Sequence, residues 1–91
     1  LKYDMINSSF KNIVKLIKHN PYLFEVYTKD DNIYKLRIQE KLMQGKFYYT
    51  VQCERLDKKN DQWIEVLAPI EESENDQESL ISALNWLNGD K

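Results

Sequence analysis

Ile33-Tyr34-Lys35-Leu36-Arg37-Ile38-Gln39-Glu40-Lys41-Leu42 is the stretch that decides the fold. Tyr34, Leu36 and Ile38 share one parity, and Lys35, Arg37, Gln39 and Lys41 share the other. Successive side chains of an extended chain point to opposite faces. The alternation therefore predicts a half-buried strand over residues 33–42, with one apolar face and one polar, basic face. Gln44-Gly45 follows closely, and glycine is the residue that tolerates the left-handed backbone of a tight hairpin. Residues 46–56 repeat the pattern, Phe47, Tyr49, Val51 and Cys53 alternating with Tyr48, Thr50, Gln52 and Glu54.

Upstream, residues 22–28 form another strand candidate. Tyr22, Phe24 and Val26 lie on one side, and Leu23, Glu25 and Tyr27 on the other. Lys29-Asp30-Asp31-Asn32 is turn chemistry. Before it, Phe10, Ile13, Val14 and Ile17 recur at i, i+3, i+4 and i+7, with Leu16 widening the stripe and Lys11, Lys15 and Lys18 opposite. That spacing predicts an N-terminal helix capped by Ser8 or Ser9 and stopped at His19-Asn20-Pro21. Residues 1–7 read as a lead-in whose Tyr3, Met5 and Ile6 dock on the core.

Downstream, Asp57-Lys58-Lys59-Asn60-Asp61 is a polar loop and residues 63–68 a last, edge strand closed by Pro69. An acidic linker over residues 70–75 leads to a second helix. Asn75 and Glu78 have the spacing of a capping box, and Asp76 and Glu78 suit the positive end of the helix dipole. Leu80, Ala83, Leu84 and Leu87 make its apolar stripe, with Ile81 and Trp86 beside it, and Gly89 is placed to end it. The expected fold is a single α+β domain over residues 1–91: an N-terminal helix, a four-stranded antiparallel meander and a C-terminal helix. Both helices are expected on one sheet face. Phe24, Val26, Leu36, Ile38, Phe47, Tyr49, Val51 and Cys53 would then meet Ile13, Val14, Ile17, Leu80, Leu84 and Leu87.

Composition bounds the function. The 91 residues are 42% hydrophobic and 12% aromatic, enough for one core. A domain of this size folds alone with little to spare, so a partner or homodimer contact would add stability. Thirteen basic residues against fifteen acidic give a net charge of −2. Nucleic-acid binders usually carry a basic excess, and strong acidic mimics of nucleic acid carry far more negative charge. Arginine appears only at Arg37 and Arg55, which disfavours bidentate phosphate recognition. No apolar run is long enough for a membrane span. A single cysteine, Cys53, excludes an internal disulfide and fits a reducing, cytoplasmic compartment. The chain begins Leu1-Lys2-Tyr3-Asp4, without an initiator Met or a signal-peptide core, and reads as a trimmed protein or as a domain of a longer one.

Few residues offer chemistry. His19 is the one histidine, and its expected role is a cation at a helix C-terminus. Cys53 falls within an inward strand pattern and is expected to be a buried small apolar residue. A four-ligand zinc site would need more Cys and His than these two. The loop Asp57 to Asp61 lacks the glycine and terminal carboxylate of a calcium loop. Gly45 and Gly89 are the only glycines, which excludes a glycine-rich phosphate loop. The expectation is a non-enzymatic chain with no cofactor and no catalytic residues.

What remains is the outward sheet face. It is expected to carry Tyr27, Lys35, Arg37, Gln39, Lys41, Tyr48, Thr50 and Gln52, with Trp63 at an edge. Tyr, Trp and Arg are enriched at protein interfaces, so the leading expectation is a protein-binding or regulatory module. Its contact residues would be Tyr27, Lys35, Arg37, Lys41, Tyr48, Thr50 and Trp63. The alternative is nucleic-acid binding by the same face, with rings stacking on bases and cations holding phosphates. A third reading is a solvated face whose charges pair across strands.

The order helix, four strands, helix resembles the layout of kinase-associated C-terminal domains and, with one strand fewer, of double-stranded RNA-binding domains. The basic, glycine-containing start of the latter's last helix is replaced here by Asn75-Asp76-Gln77-Glu78. Layout alone carries no function, and none is transferred.

Overall fold

A computed structural model describes residues 10–90. The expected cap at Ser8 or Ser9 and the docking of Tyr3, Met5 and Ile6 lie outside that range. Five strands form one antiparallel meander in sequence order. They are β1 (Ile13–Asn20), β2 (Leu23–Thr28), β3 (Ile33–Met43), β4 (Lys46–Asp57) and β5 (Gln62–Val66). Helix α1 (Asp76–Asn85) follows and continues into a π-helical turn, Trp86–Asp90. The expected α+β class and antiparallel meander are present. The four expected strands are β2 to β5, each within two residues of its predicted ends.

The predicted N-terminal helix is wrong for residues 13–20, which form β1. Two bulges explain the misreading. Ile13 faces Thr28 but Lys15 already faces Tyr27, so Val14 is an extra residue, and His19 is likewise extra between Lys18↔Phe24 and Asn20↔Leu23. A bulge sets two residues of one strand against one of its partner and shifts the face of all that follows. Ile13 and Leu16, three residues apart, therefore both reach the core, while Val14 is 56% exposed and Ile17 lies opposite Glu25. A bulged strand thus reproduces helical spacing. The β-branched Ile13, Val14 and Ile17 suit a strand. Asn20-Pro21 is a hairpin turn and not a helix stop, with Asn20 Oδ1 accepting the Tyr22 N–H at 2.8 Å. The three lysines form no stripe: Lys15 lies beside Tyr27 and Lys18 beside Phe24, on opposite faces.

The core lies between one sheet face and α1. Phe24, Val26, Tyr34, Leu36, Ile38, Val51 and Cys53 pack with Phe10, Ile13, Leu80, Ala83, Leu84 and Leu87. Fully burying one such large side chain is worth about 1.5–3 kcal/mol. Phe47, expected inside, is 51% exposed, because β3 and β4 run on past the helix. Tyr49 is only partly buried at that boundary. Cys53 is buried, as expected.

Helix α1 is anchored at both ends. Asn75 Oδ1 accepts the N–H groups of Gln77 and Glu78 at 2.8 and 3.2 Å. The capping box is modified by Ser73, whose hydroxyl accepts the Asn75 N–H at 3.1 Å and donates to Glu78 Oε2 at 2.8 Å. Ser73 also exchanges backbone bonds with Tyr49, taking the edge of β4 where β5 has ended. Buried Ser79 donates its hydroxyl to the Tyr49 carbonyl at 2.9 Å. At the far end Gly89 does not adopt the left-handed conformation expected of a helix terminator. Instead Asn12 donates its side-chain amide to the Asn88 carbonyl and its backbone N–H to Asn88 Oδ1, which satisfies groups a helix end leaves open.

Two turns carry predictions. Gln44 and Gly45 both have positive φ, 52° and 77°, the two-residue hairpin geometry that matches strand twist. A Cβ at Gly45 would meet nothing within 4 Å, so only backbone strain opposes it. Gly45→Ala is expected to cost about 1–2 kcal/mol in chemical denaturation, without loss of fold. In the β4–β5 loop, Asp57 Oδ2 accepts from the Asn60 side chain at 2.7 Å, and Oδ1 from the Lys59 and Asn60 backbone at 3.2 and 3.4 Å. The Asn60 side-chain bond, set against some burial, holds the Asp57 carboxyl below its ordinary value of 3.8. A lowered carboxyl contributes stability above that value and loses it as pH falls through and below it. Asn60→Ala is expected to move the Asp57 titration, followed by NMR, back up toward 3.8 and to shrink this acid loss.

Candidate interaction face

The face of the sheet opposite α1 is built in rows across the strands. Lys15 pairs with Tyr27 and Tyr27 with Ile33, and Leu56 pairs with Trp63. One step beyond Tyr34↔Arg55, the register sets Ile33 beside Leu56. Tyr27, Ile33, Leu56 and Trp63 therefore form an apolar row spanning β2 to β5, each side chain half-buried. The next row is Ile17, Glu25, Lys35, Glu54 and Glu65, and the one after it includes Leu23, Arg37 and Gln52.

The polar groups of this face are largely engaged with one another. Lys35 Nζ lies 4.2 Å from the Trp63 ring centroid, and Lys15 Nζ 5.5 Å from that of Tyr27. Arg37 Nε is 3.5 Å from Glu54 Oε1, an oxygen that is buried and has no hydrogen-bond partner among the described residues, so the guanidinium charge is its compensation. Glu54 also faces Glu65 across the β4–β5 pair, a like-charge contact that sheets disfavour. Gln52 Nε2 donates to Glu65 Oε2 at 3.3 Å, and Gln39 Nε2 to Gln52 Oε1 at 3.4 Å. His19 is the bulge residue of β1, not a helix-end cation, and its Nε2 lies 2.7 Å from Glu25 Oε1. Exposed pairs of this kind contribute about 0–1 kcal/mol each, so they order the face more than they stabilise the fold.

The predicted contact residues separate into two groups. Tyr27, Lys35, Arg37 and Trp63 gather on the central sheet. Thr50, opposite Gln39, and Tyr48, opposite Lys41, lie along the outer part of β3 and β4. At about 3.4 Å per residue, Lys41 lies roughly 27 Å from the row of Ile33. There Lys41 is 3.8 Å from Glu72, and Lys46 is 3.8 Å from Glu74. Ile33 and Leu56 were missing from the predicted set. Their signal was present, since Ile33 shares parity with Lys35 and Leu56 with Glu54, but a search for rings and charges passes over aliphatic side chains.

Among the described residues, no group of three or more His, Cys, Asp or Glu side chains is placed to hold a metal ion, and no helix is long and apolar enough to cross a membrane. Comparison with family models, curated proteins and solved structures found no match to this chain.

Proposed function

We propose that this domain is a protein-binding module whose contact surface is the open sheet face, centred on Tyr27, Ile33, Leu56 and Trp63. The observation that carries the reading is the row itself: four half-buried apolar side chains lying side by side across β2 to β5, on the face that α1 does not cover. Apolar and aromatic groups at the centre with charged groups around them are the usual anatomy of a protein interface. Lys35 and Arg37 already lean on Trp63 and Glu54, which favours a protein partner over the phosphates of a nucleic acid.

Arg37→Ala, Tyr48→Ser and Trp63→Ser test this, with Lys11→Ala on an exposed residue outside the face as reference. Each variant is checked by thermal melting and then used as bait in an extract of its source cells. A partner held by the wild type and by Lys11→Ala is expected to be lost with Trp63→Ser, weakened about ten-fold with Arg37→Ala, and little affected by Tyr48→Ser. Equal retention by all folded variants contradicts the reading. Nuclease-sensitive recovery that falls steeply with salt would replace it with nucleic-acid binding.

A further inference from the structure

A second surface lies on the other side of the sheet, beyond the helix. The β2–β3 register ends at Leu23↔Arg37, and Ile38 donates its N–H to the Tyr22 carbonyl at 2.8 Å. Past that point β2 no longer flanks β3, and beyond Tyr49, where Ser73 pairs with the edge of β4, residues 41–43 and 46–48 project as a two-stranded arm. Glu40, Leu42, Phe47 and Tyr49 share the parity of the core residues Leu36 and Val51, so the core face continues along the arm. Helix α1 begins beside Tyr49 and ends against Asn12, at the opposite end of the sheet, leaving the arm uncovered. Leu42 is 62%, Phe47 51% and Tyr22 49% exposed. Contiguous exposed apolar surface of this kind marks an interaction site, and a two-stranded ribbon alone is marginally stable without cover.

The charges around it select an occupant. Glu40 lies directly opposite Tyr49 at the base of the arm, and Asp76 opens α1, whose Ser79 hydroxyl bonds the Tyr49 carbonyl. Among the described residues neither carboxylate has an ion-pair partner. The nearby cations Lys41 and Lys46 are directed to Glu72 and Glu74. The arm face is therefore apolar with an acidic rim. Helix α1 of a second copy does not complement it, because its first turn is acidic and its last turn has no basic residue.

We propose that the arm face of Tyr22, Leu42 and Phe47 binds a basic amphipathic helix of a partner protein, whose Lys or Arg side chains face Glu40 and Asp76. The bound helix extends over the arm the layer that α1 forms over the rest of the sheet. This surface is separate from the open face, so either proposal can fail alone.

The probe is a synthetic Leu/Lys amphipathic helical peptide, with a Leu/Glu peptide of the same apolar pattern and a scrambled Leu/Lys peptide as comparisons. Each is titrated into the isotope-labelled full chain and followed by NMR. Shifts are expected at Tyr22, Leu42, Phe47 and Tyr49 with the Leu/Lys peptide alone. Leu42→Ser with Phe47→Ser, both largely exposed and so expected to leave the fold intact, is expected to weaken binding roughly ten-fold or more. Glu40→Lys is expected to weaken it further as a separate variant and to remove part of its salt dependence. The proposal is overturned by shifts confined to the open face, by equal binding of the three peptides, or by unchanged affinity in the folded double variant. Concentration-dependent dimerisation through Leu42 and Phe47 in sedimentation, with no response to the peptide, would overturn it in favour of a second copy.

Discussion

Leu36→Ala is expected to lower the unfolding free energy by about 2–5 kcal/mol, the range for removing a fully buried leucine and leaving a partly collapsed cavity. Leu36 is fully buried at the middle of the central strand, between Phe24 on β2 and Cys53 on β4. No rearrangement of one neighbour can fill that space, because the strands on both sides are fixed by their ladders. The adjacent Arg37 lies on the other face, paired to Glu54 and about half exposed. Arg37→Ala is expected to cost about 1–2 kcal/mol, because it leaves Glu54 Oε1 without its cation, and so less than the loss at Leu36. Denaturant unfolding of the two variants, with unchanged slope, measures the division between the faces directly. Comparable losses would mean that β3 does not separate a core side from an open side.

Leu84→Ala is expected to cost a similar amount, about 2–5 kcal/mol, while Ile81→Ala on the same helix costs well under half of that. Leu84 is fully buried, whereas Ile81 is 41% exposed. A ten-residue helix is too short to persist in water unaided, so α1 depends on the side chains it presents to the sheet. The Leu84 variant is therefore expected to lose helical signal and tertiary signal together on heating. Early loss of α1 while the sheet remains folded would show that the helix is an independent attachment.

The two variants probe the parts of the fold that were most readable. The alternation at residues 33–42 assigned Tyr34, Leu36 and Ile38 to the core because an unbroken strand keeps its parity. The stripe Leu80, Ala83, Leu84 and Leu87 located α1 because its periodicity is undisturbed and Asn75 caps it. Residues 13–20 misled because the pattern there is the product of two bulges, which restore a core contact three residues on. The β-branched Ile13, Val14 and Ile17 lean toward a strand, but the spacing itself is that of one face of a helix. The decisive fact is the pairing with β2, a long-range interaction. Phe47 misled for a related reason: its parity is right, but the reach of α1 decides whether that face is covered.

The candidate face was legible as a face and less so as a site. Parity placed Tyr27, Lys35, Arg37, Lys41, Tyr48 and Thr50 on the side away from Leu36. Parity does not report which side chains become neighbours across strands, and that depends on register. Register brings Ile33 and Leu56 between Tyr27 and Trp63, and it carries Lys41 and Tyr48 out along the arm. It also sets Glu54 opposite Lys35 and diagonal to Arg37, which turns a basic patch into a nearly balanced one.

The central claim is that the open face, and not the outer side of α1, meets a protein partner. Site-specific photo-crosslinking tests it most directly. A photoreactive residue is placed at Gln39, exposed on the open face two residues from Arg37, or at Ser82, exposed on α1. The folded protein is then irradiated in an extract of its source cells. The account predicts one discrete protein adduct from position 39 that is lost when Trp63→Ser is added, and none from position 82. The same adduct from both positions, or an adduct from position 82 alone, would contradict it.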